Sequence, residues 1–221
     1  MSVVGSSPEE DVMSTINITP FTDVLLVLLI IFMILTSLLK PPPVPELKPV
    51  TVDPKTTALF VLDFMKGNCG TRPRCVATVP NVKKLMDAAH AHNMTIFYTW
   101  VGQDPTAAGV VDPSLLPAAT DYRITGSGGA DKFINSNLDA GLKEKGIKTV
   151  IITGTSAQGA VAGTTNGATQ RGYKAVVPVD GMSAEDAYNE QYAAWHIYKG
   201  GPANITGNAT LTHSDLIKFG G

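Results

Sequence analysis

Several stretches of this 221-residue sequence place chemically capable side chains at the ends of apolar runs. TALFVLDF (57–64) is apolar and β-branched and carries one carboxylate, Asp63, near its end. KTVIITG (148–154) runs into Thr155 and Ser156. Their hydroxyls could attack a carbonyl only with a base beside them, and Asp63 is the obvious one. Their plainer role is to cap the following helix and satisfy turn amides. YKAVVPVDG (173–181) carries Asp180 at its end. Cys69, six residues past Asp63, is a candidate thiol for the same cleft. It reads more naturally as a structural cysteine paired with Cys75. His196 shares a segment with Tyr188, Tyr192 and Trp195, whose spacing predicts core packing, while Glu185 and Glu190 read as a solvated face. His90 and His92 flank a predicted helix C-terminus, where positive charge is favoured. No set of His, Cys, Asp and Glu has metal-ligand spacing, so neither metal nor other cofactor is expected.

The elements that must hold these residues alternate. Strands are predicted at 57–64, 95–101, 148–154 and 173–181. Helices are predicted at Val79 to His92, Phe133 to Lys145, Gly159 to Arg171 and Ala184 to Tyr198, the last with Ser183 as N-cap and Glu185 and Asp186 in its first turn. Residues 102 to 130, rich in Gly, Pro, Asp and Thr, form a long loop. Strands separated by helices imply a three-layer α/β/α sandwich around a mainly parallel sheet. Such sheets bind ligands beyond the carboxyl ends of their strands, where Asp63, the GTSAQGA turn and Asp180 fall.

A net charge of −2 and the absence of a basic stripe argue against nucleic acid as a partner. The apolar residues are concentrated in VLLVLLIIFMILTSLL (24–39); from Phe21 this gives 19 residues, a helix of about 28 Å. That length suits a membrane span, and the run lacks a polar stripe. A cleaved signal peptide fits poorly, because residues 1–23 contain no Lys or Arg. The expected organisation is a disordered segment at 1–15, a transmembrane helix at 16–39, a stiff proline-rich linker at 40–55 and one α/β domain at 56–221.

LFVLDFM (59–65), DKFINSNLDAGLKEKGIKTVIITGTSAQGAV (131–161) and GYKAVVPVDGMS (172–183) resemble the isochorismatase-like cysteine hydrolase family. The resemblance implies a triad of strand-end Asp, Lys and helix-start Cys, with backbone amides holding the oxyanion. Carried onto this sequence, Asp63 holds the aspartate position and Ala160 the nucleophile position, so the thiol is missing. The family lysine falls near Ser127 and Gly128, which leaves Lys132 as a displaced stand-in. Thr155, Ser156 and Gly159 would line a ligand site. The implied function is a divergent or inactive hydrolase that binds a small molecule; the alternative is an amide or ester hydrolase working through Asp63, Lys132 and water.

INITPFTDVLLVLLIIFMI (16–34) resembles the transmembrane helix of the ExbD/TolR family of proton-driven inner-membrane transducers. That resemblance implies a proton-coupling role for Asp23, an ExbB/TolQ-like partner in the bilayer, and a periplasmic soluble domain on a single-pass protein of the bacterial inner membrane. Lys40, Lys48 and Lys55 lean the other way, toward a cytoplasmic domain, but are too dispersed to outweigh it. A bridge between Cys69 and Cys75 would favour the periplasm. Assembly into a homo-oligomer is compatible with these readings.

Overall fold

The computed structural model of the chain describes residues 19–38, 45–100, 108–126, 129–199 and 205–220. It separates into two units, residues 1–43 and 44–221. The disorder expected at 1–15 lies outside the described residues.

The first unit contains α1 (Thr19–Leu38), which is about 30 Å long at 1.5 Å per residue. From Val24 to Leu35 every side chain is large and apolar, and each is between 45% and 64% exposed. The transmembrane helix expected at 16–39 is not borne out: among the described residues no helix is long and apolar enough to cross a membrane. In α1 the described side chains are those of residues 20–36.

The second unit runs β1 (Val50–Val52), β2 (Thr57–Leu62), α2 (Pro73–Val76), α3 (Val79–Ala91), β3 (Thr95–Thr99), β4 (Tyr122–Ile124), α4 (Leu138–Glu144) and β5 (Thr149–Thr155). It continues with α5 (Ala162–Gln170), β6 (Lys174–Pro178), β7 (Met182–Ser183), α6 (Ala187–Lys199), α7 (Ile205–Asn208), β8 (Ala209–Thr212) and β9 (Ile217–Phe219). A seven-stranded sheet has the order β4-β3-β2-β5-β6-β8, with β7 also beside β5, and every ladder in it is parallel.

Strand β2 is buried along its whole length, as a central strand covered on both faces must be. Its period of two sends Leu59 and Val61 into one apolar cluster with Val82, Leu85 and Met86 of α3. Ala58, Phe60 and Leu62 join the opposite cluster with Leu142 of α4, Ala168 of α5 and Ile197 of α6. The α/β architecture with a mainly parallel sheet is thus observed, with helices on both faces. From β2 the chain builds outward through β3 and β4, then returns to place β5 on the other side. The crevice between β2 and β5 is therefore a topological switch point, where open parallel sheets receive ligands.

Several boundaries differ from expectation. The predicted linker contains β1, which pairs with β9, and Lys48 N donates to Leu211 O at 3.0 Å, so residues 48–52 belong to the domain. Strand β4 lies within the predicted 102–130 loop. The helix expected from Phe133 begins at Leu138, because Asn135 has φ 49°, outside the right-handed helical region; ahead of it Asp131 Oδ1 accepts from Phe133 N at 2.9 Å and Asn137 Oδ1 from Thr125 N at 2.8 Å. Ser183 is a strand residue, not an N-cap. Asp186, just ahead of α6, accepts from Asn189 N at 2.8 Å and does the capping instead.

Candidate functional site

Asp63 stands one residue beyond β2 with φ 61°, where the chain turns off the sheet. Its side chain is 10% exposed and that of Lys132 is 8% exposed, with 2.9 Å between Asp63 Oδ2 and Lys132 Nζ. Thr99, at the end of β3, donates from Oγ1 to Asp63 Oδ1 at 2.6 Å and accepts from Asp63 N at 3.1 Å. A buried ion pair is tolerated only when its remaining valences are filled in this way. The displaced lysine therefore does reach the strand-end aspartate. Ser127 and Gly128, the positions in register with the family lysine, lie outside the described residues.

Lys132 is held by docking its loop on α5. Lys132 N donates to Thr164 Oγ1, and that hydroxyl donates to Ala130 O, both at 3.2 Å. Ser136 Oγ donates to Lys132 O at 2.6 Å. Glycine permits the approach: a Cβ at Gly167 would lie 2.3 Å from Asp131 Oδ1. Burial is the main influence on the Asp131 carboxyl and pushes it above the ordinary carboxylate range, against the Phe133 amide and the Arg171 charge.

The opposite wall is the turn after β5. Gly154 has φ 153°, and a Cβ there would fall 2.6 Å from Leu62 Cβ, so β5 can lie this close to β2 only with glycine. The Thr155–Ser156 peptide is cis, and residues 157–161 form a π-helical turn leading into α5. Ser156 O accepts from Gly159 N at 3.1 Å and Val161 N at 3.2 Å, whereas the Ser156 side chain makes no cap bond. Thr155 Oγ1 donates to Ser183 O at 3.4 Å. The helix-capping role expected of these hydroxyls is thus not seen, and the bonds to the Ser156 carbonyl are those of the π-turn's own backbone. The methyl of Ala160, 6% exposed, joins the apolar cluster of Leu62, Ala157 and Val161.

Other candidates are assigned elsewhere. Cys69 forms a disulfide with Cys75 and both are fully buried, so Cys69 offers no free thiol. Asp180 Oδ1 accepts from Ser214 N at 2.8 Å and its Oδ2 lies 3.3 Å from His213 Nε2, which ties the end of β6 to the β8–β9 connection. His92 Nδ1 lies 2.8 Å from Ala88 O and His90 Nε2 lies 2.9 Å from Asp121 Oδ1, at the C-terminal end of α3 as expected. The packing expected of the α6 aromatics is not seen. Tyr188, Tyr192 and Trp195 are exposed, because Ala193 and Ile197 form the buried face and leave these three on the outer side. His196 lies 3.3 Å from Asn166 Nδ2. Glu190 is not a free solvated charge: it pairs with Arg74 and accepts from Ala184 N at 3.1 Å. Asp23 is exposed, and no acidic side chain lies in the first turn of α1. Among the described residues no group of His, Cys, Asp and Glu converges to hold a metal.

Thr99 and Thr164 were not among the residues singled out from sequence. A threonine ending a strand, or set in a small-residue helix, carries no signal beyond propensity; only the β2–β3 register, which pairs Leu62 with Thr99, reveals the first.

A doubly wound parallel sheet with a buried carboxylate–ammonium pair at its switch point defines an α/β domain built like a small-molecule hydrolase. The isochorismatase domain model matches residues 57–209, more than half of the chain, and the chain belongs to that family. The uncharacterized isochorismatase family protein YwoC of Bacillus subtilis is 28% identical over 156 residues, covering 61% of this chain and 81% of the relative. The N-carbamoylsarcosine amidase of an Arthrobacter species is 26% identical over 131 residues, covering 48% of this chain and 49% of that amidase, so the match spans about half of its length. The fold is also that of a cysteine hydrolase from Pseudomonas syringae pv. phaseolicola, with TM-score 0.62 and 20% identity over 80% of this chain and 95% of that one.

Proposed function

We propose that this chain is a membrane-anchored isochorismatase-family protein that binds a small molecule beside Asp63 and Lys132 and does not cleave it through a thiol. Ala160 carries the reading. On the turn where the resemblance puts the attacking cysteine, this chain has a methyl group packed into the core, and a methyl cannot form an acyl-enzyme. Thr155 and Ser156 would border the bound molecule, and Gly159 keeps the turn open, since a Cβ there would lie 2.7 Å from Ser156 Oγ.

Anchoring is supported by α1, whose apolar side chains have no polar face to offer water. The buried disulfide suits an oxidising compartment such as the periplasm. In this reading Asp23 is the carboxylate that would exchange protons beside an ExbB/TolQ-like partner, because it lies past the first turn, where a cap would act. Co-purification of wild type and Asp23→Ala with such a partner tests that role; no association of either removes it.

A second reading is favoured by the intact ion pair: Asp63 and Lys132 could still direct water onto an amide, ester or ether. The full chain in detergent, assayed with N-carbamoylsarcosine, nicotinamide and isochorismate, separates the two. The first reading expects no turnover, with ligand-induced stabilisation that disappears in Asp63→Ala. Turnover that Asp63→Ala abolishes supports the second. A covalent acyl adduct trapped on the 154–161 turn overturns both.

A further inference from the structure

We propose that the cavity beside the start of β8 is a second small-molecule site, and that it takes a small carboxylate bearing a hydrogen-bond donor, such as a hydroxy or amino acid. The cavity has a volume of about 400 Å³, within the range of small-molecule sites. Glu46 and Lys48 ahead of β1, Tyr198 and Lys199 in the last turn of α6, Gly207 of α7 and Ala209, Thr210 and Leu211 of β8 wall it. It is not part of the Asp63 cleft. Strand β8 is the third strand over from β2, and its Ala209 lies opposite Ala175 near the start of β6. Strands β2, β5 and β6 start in line with one another, whereas Asp63 follows the last residue of β2. The two places are thus separated across the sheet and along its strands, and the inference does not depend on how the cleft is read.

The walls are held without a ligand. Lys48 N donates to Leu211 O at 3.0 Å and Thr212 Oγ1 donates to Lys48 O at 2.7 Å, which pins the segment carrying Lys48 to β8. Ile197 is fully buried and anchors the end of α6, and Tyr198 and Ala209 pack against the same apolar cluster. The lining then selects by charge. Lys48 and Lys199 against Glu46 leave one positive charge in surplus, which suits a monoanion. An ammonium group has donors and no acceptor, so the lysines take a carboxylate. A glutamate carboxylate only accepts, so Glu46 takes the ligand's own donor. Glu46 and Lys48 have no ion-pair partner, and the Tyr198 and Thr210 hydroxyls no hydrogen-bond partner, among the described residues. These groups are therefore available to a ligand. A dianion such as phosphate fits less well, because its second charge would face Glu46.

The alternative is that the cavity holds solvent alone. The two are separated by titrating the full chain in micelles with glycolate, glycine, acetate, glycolamide and inorganic phosphate, following the backbone amides of Gly207, Ala209 and Thr210 by NMR. Glycolate and glycine are expected to shift these amides saturably; glycolamide, which lacks the charge, is expected not to. The double substitution Lys48→Gln, Lys199→Gln should weaken glycolate about tenfold or more, as loss of a charge-assisted bond does. Glu46→Ala should bring glycolate down to the level of acetate. Asp63→Ala should bind glycolate as wild type does. The side chains of Glu46, Lys48 and Lys199 lie on exposed residues, so these variants keep the fold, which the remaining amide spectrum checks. The absence of any saturable shift overturns the assignment. So does equal binding of glycolamide, tighter binding of phosphate than of glycolate, or a double lysine variant that matches wild type. Loss of the shifts in Asp63→Ala would put the anion in the cleft and overturn a separate site.

Discussion

Asp63 and Lys132 are withdrawn from water together, and each depends on the other to remain so. Removing one leaves an uncompensated charge in a buried site, which costs roughly 3–5 kcal/mol. Lys132→Met and Asp63→Leu are therefore expected each to lower the unfolding free energy by about that much in urea titrations of the full chain. The double substitution should cost less than the two singles added, because neither charge is then stranded. Additive losses would mean that the 2.9 Å contact carries no energetic coupling. At this scale the sequence was partly legible. Asp63 announced itself as the one charge in an otherwise apolar strand run. Lys132 could be named only as a stand-in, since its reach to Asp63 depends on where α5 docks its loop. Thr99 was invisible, because a strand-end threonine is first of all a β-former.

Elements position these residues through small side chains and a few polar ties. In α5, Gly167 leaves room for the Asp131 carboxyl and Thr164 holds the Lys132 amide. Gly167→Ala would force the Lys132 loop outward; a loss of roughly 1–3 kcal/mol in chemical unfolding is expected, as for other overpacked sites. Wild-type stability would show that the loop yields without cost. Across the same face, Tyr173 Oη donates to Asp139 at 2.9 Å and joins the start of β6 to α4. Burial first, and then this bond, raise the Tyr173 phenol to about 12. The folded state thus holds that proton more tightly than the unfolded chain, so the stabilisation is complete below about pH 10 and is lost as pH rises through about 12. Tyr173→Phe should flatten the alkaline fall in melting temperature across that window. The central strands and α3 were readable because they are apolar and regularly spaced. Strands β1, β4 and β9, of three residues each, were not: such short pieces hold only through their partners. The start of α4 was misplaced because Asn135, inside the expected helix, has φ 49°, which breaks right-handed helix there.

For the whole molecule, the decisive contrast is between a domain with two buried apolar clusters and a helix whose large apolar side chains from Val24 to Leu35 are exposed. Exposed apolar side chains from Val24 to Leu35 would be a standing liability in water, so the proposed anchor makes a firm physical demand. The full chain should remain with membranes after alkaline carbonate washing, and a chain beginning at residue 45 should be released. Extraction of the full chain would mean that α1 is covered by protein or lies along the surface. The disulfide makes the second half of the same prediction. Cys69 and Cys75 close a seven-residue loop directly after Asp63, and the chain-entropy model assigns such a loop about 2 kcal/mol. If the domain is on the oxidising side, both sulfurs should resist maleimide in the denatured protein until a reductant is added. The Cys69→Ser, Cys75→Ser double substitution should then unfold at lower urea, by roughly 2 kcal/mol. Two reactive thiols in protein taken directly from cells would place the domain in a reducing compartment, and the lean of Lys40, Lys48 and Lys55 toward the cytoplasm would then be the better guide to its orientation.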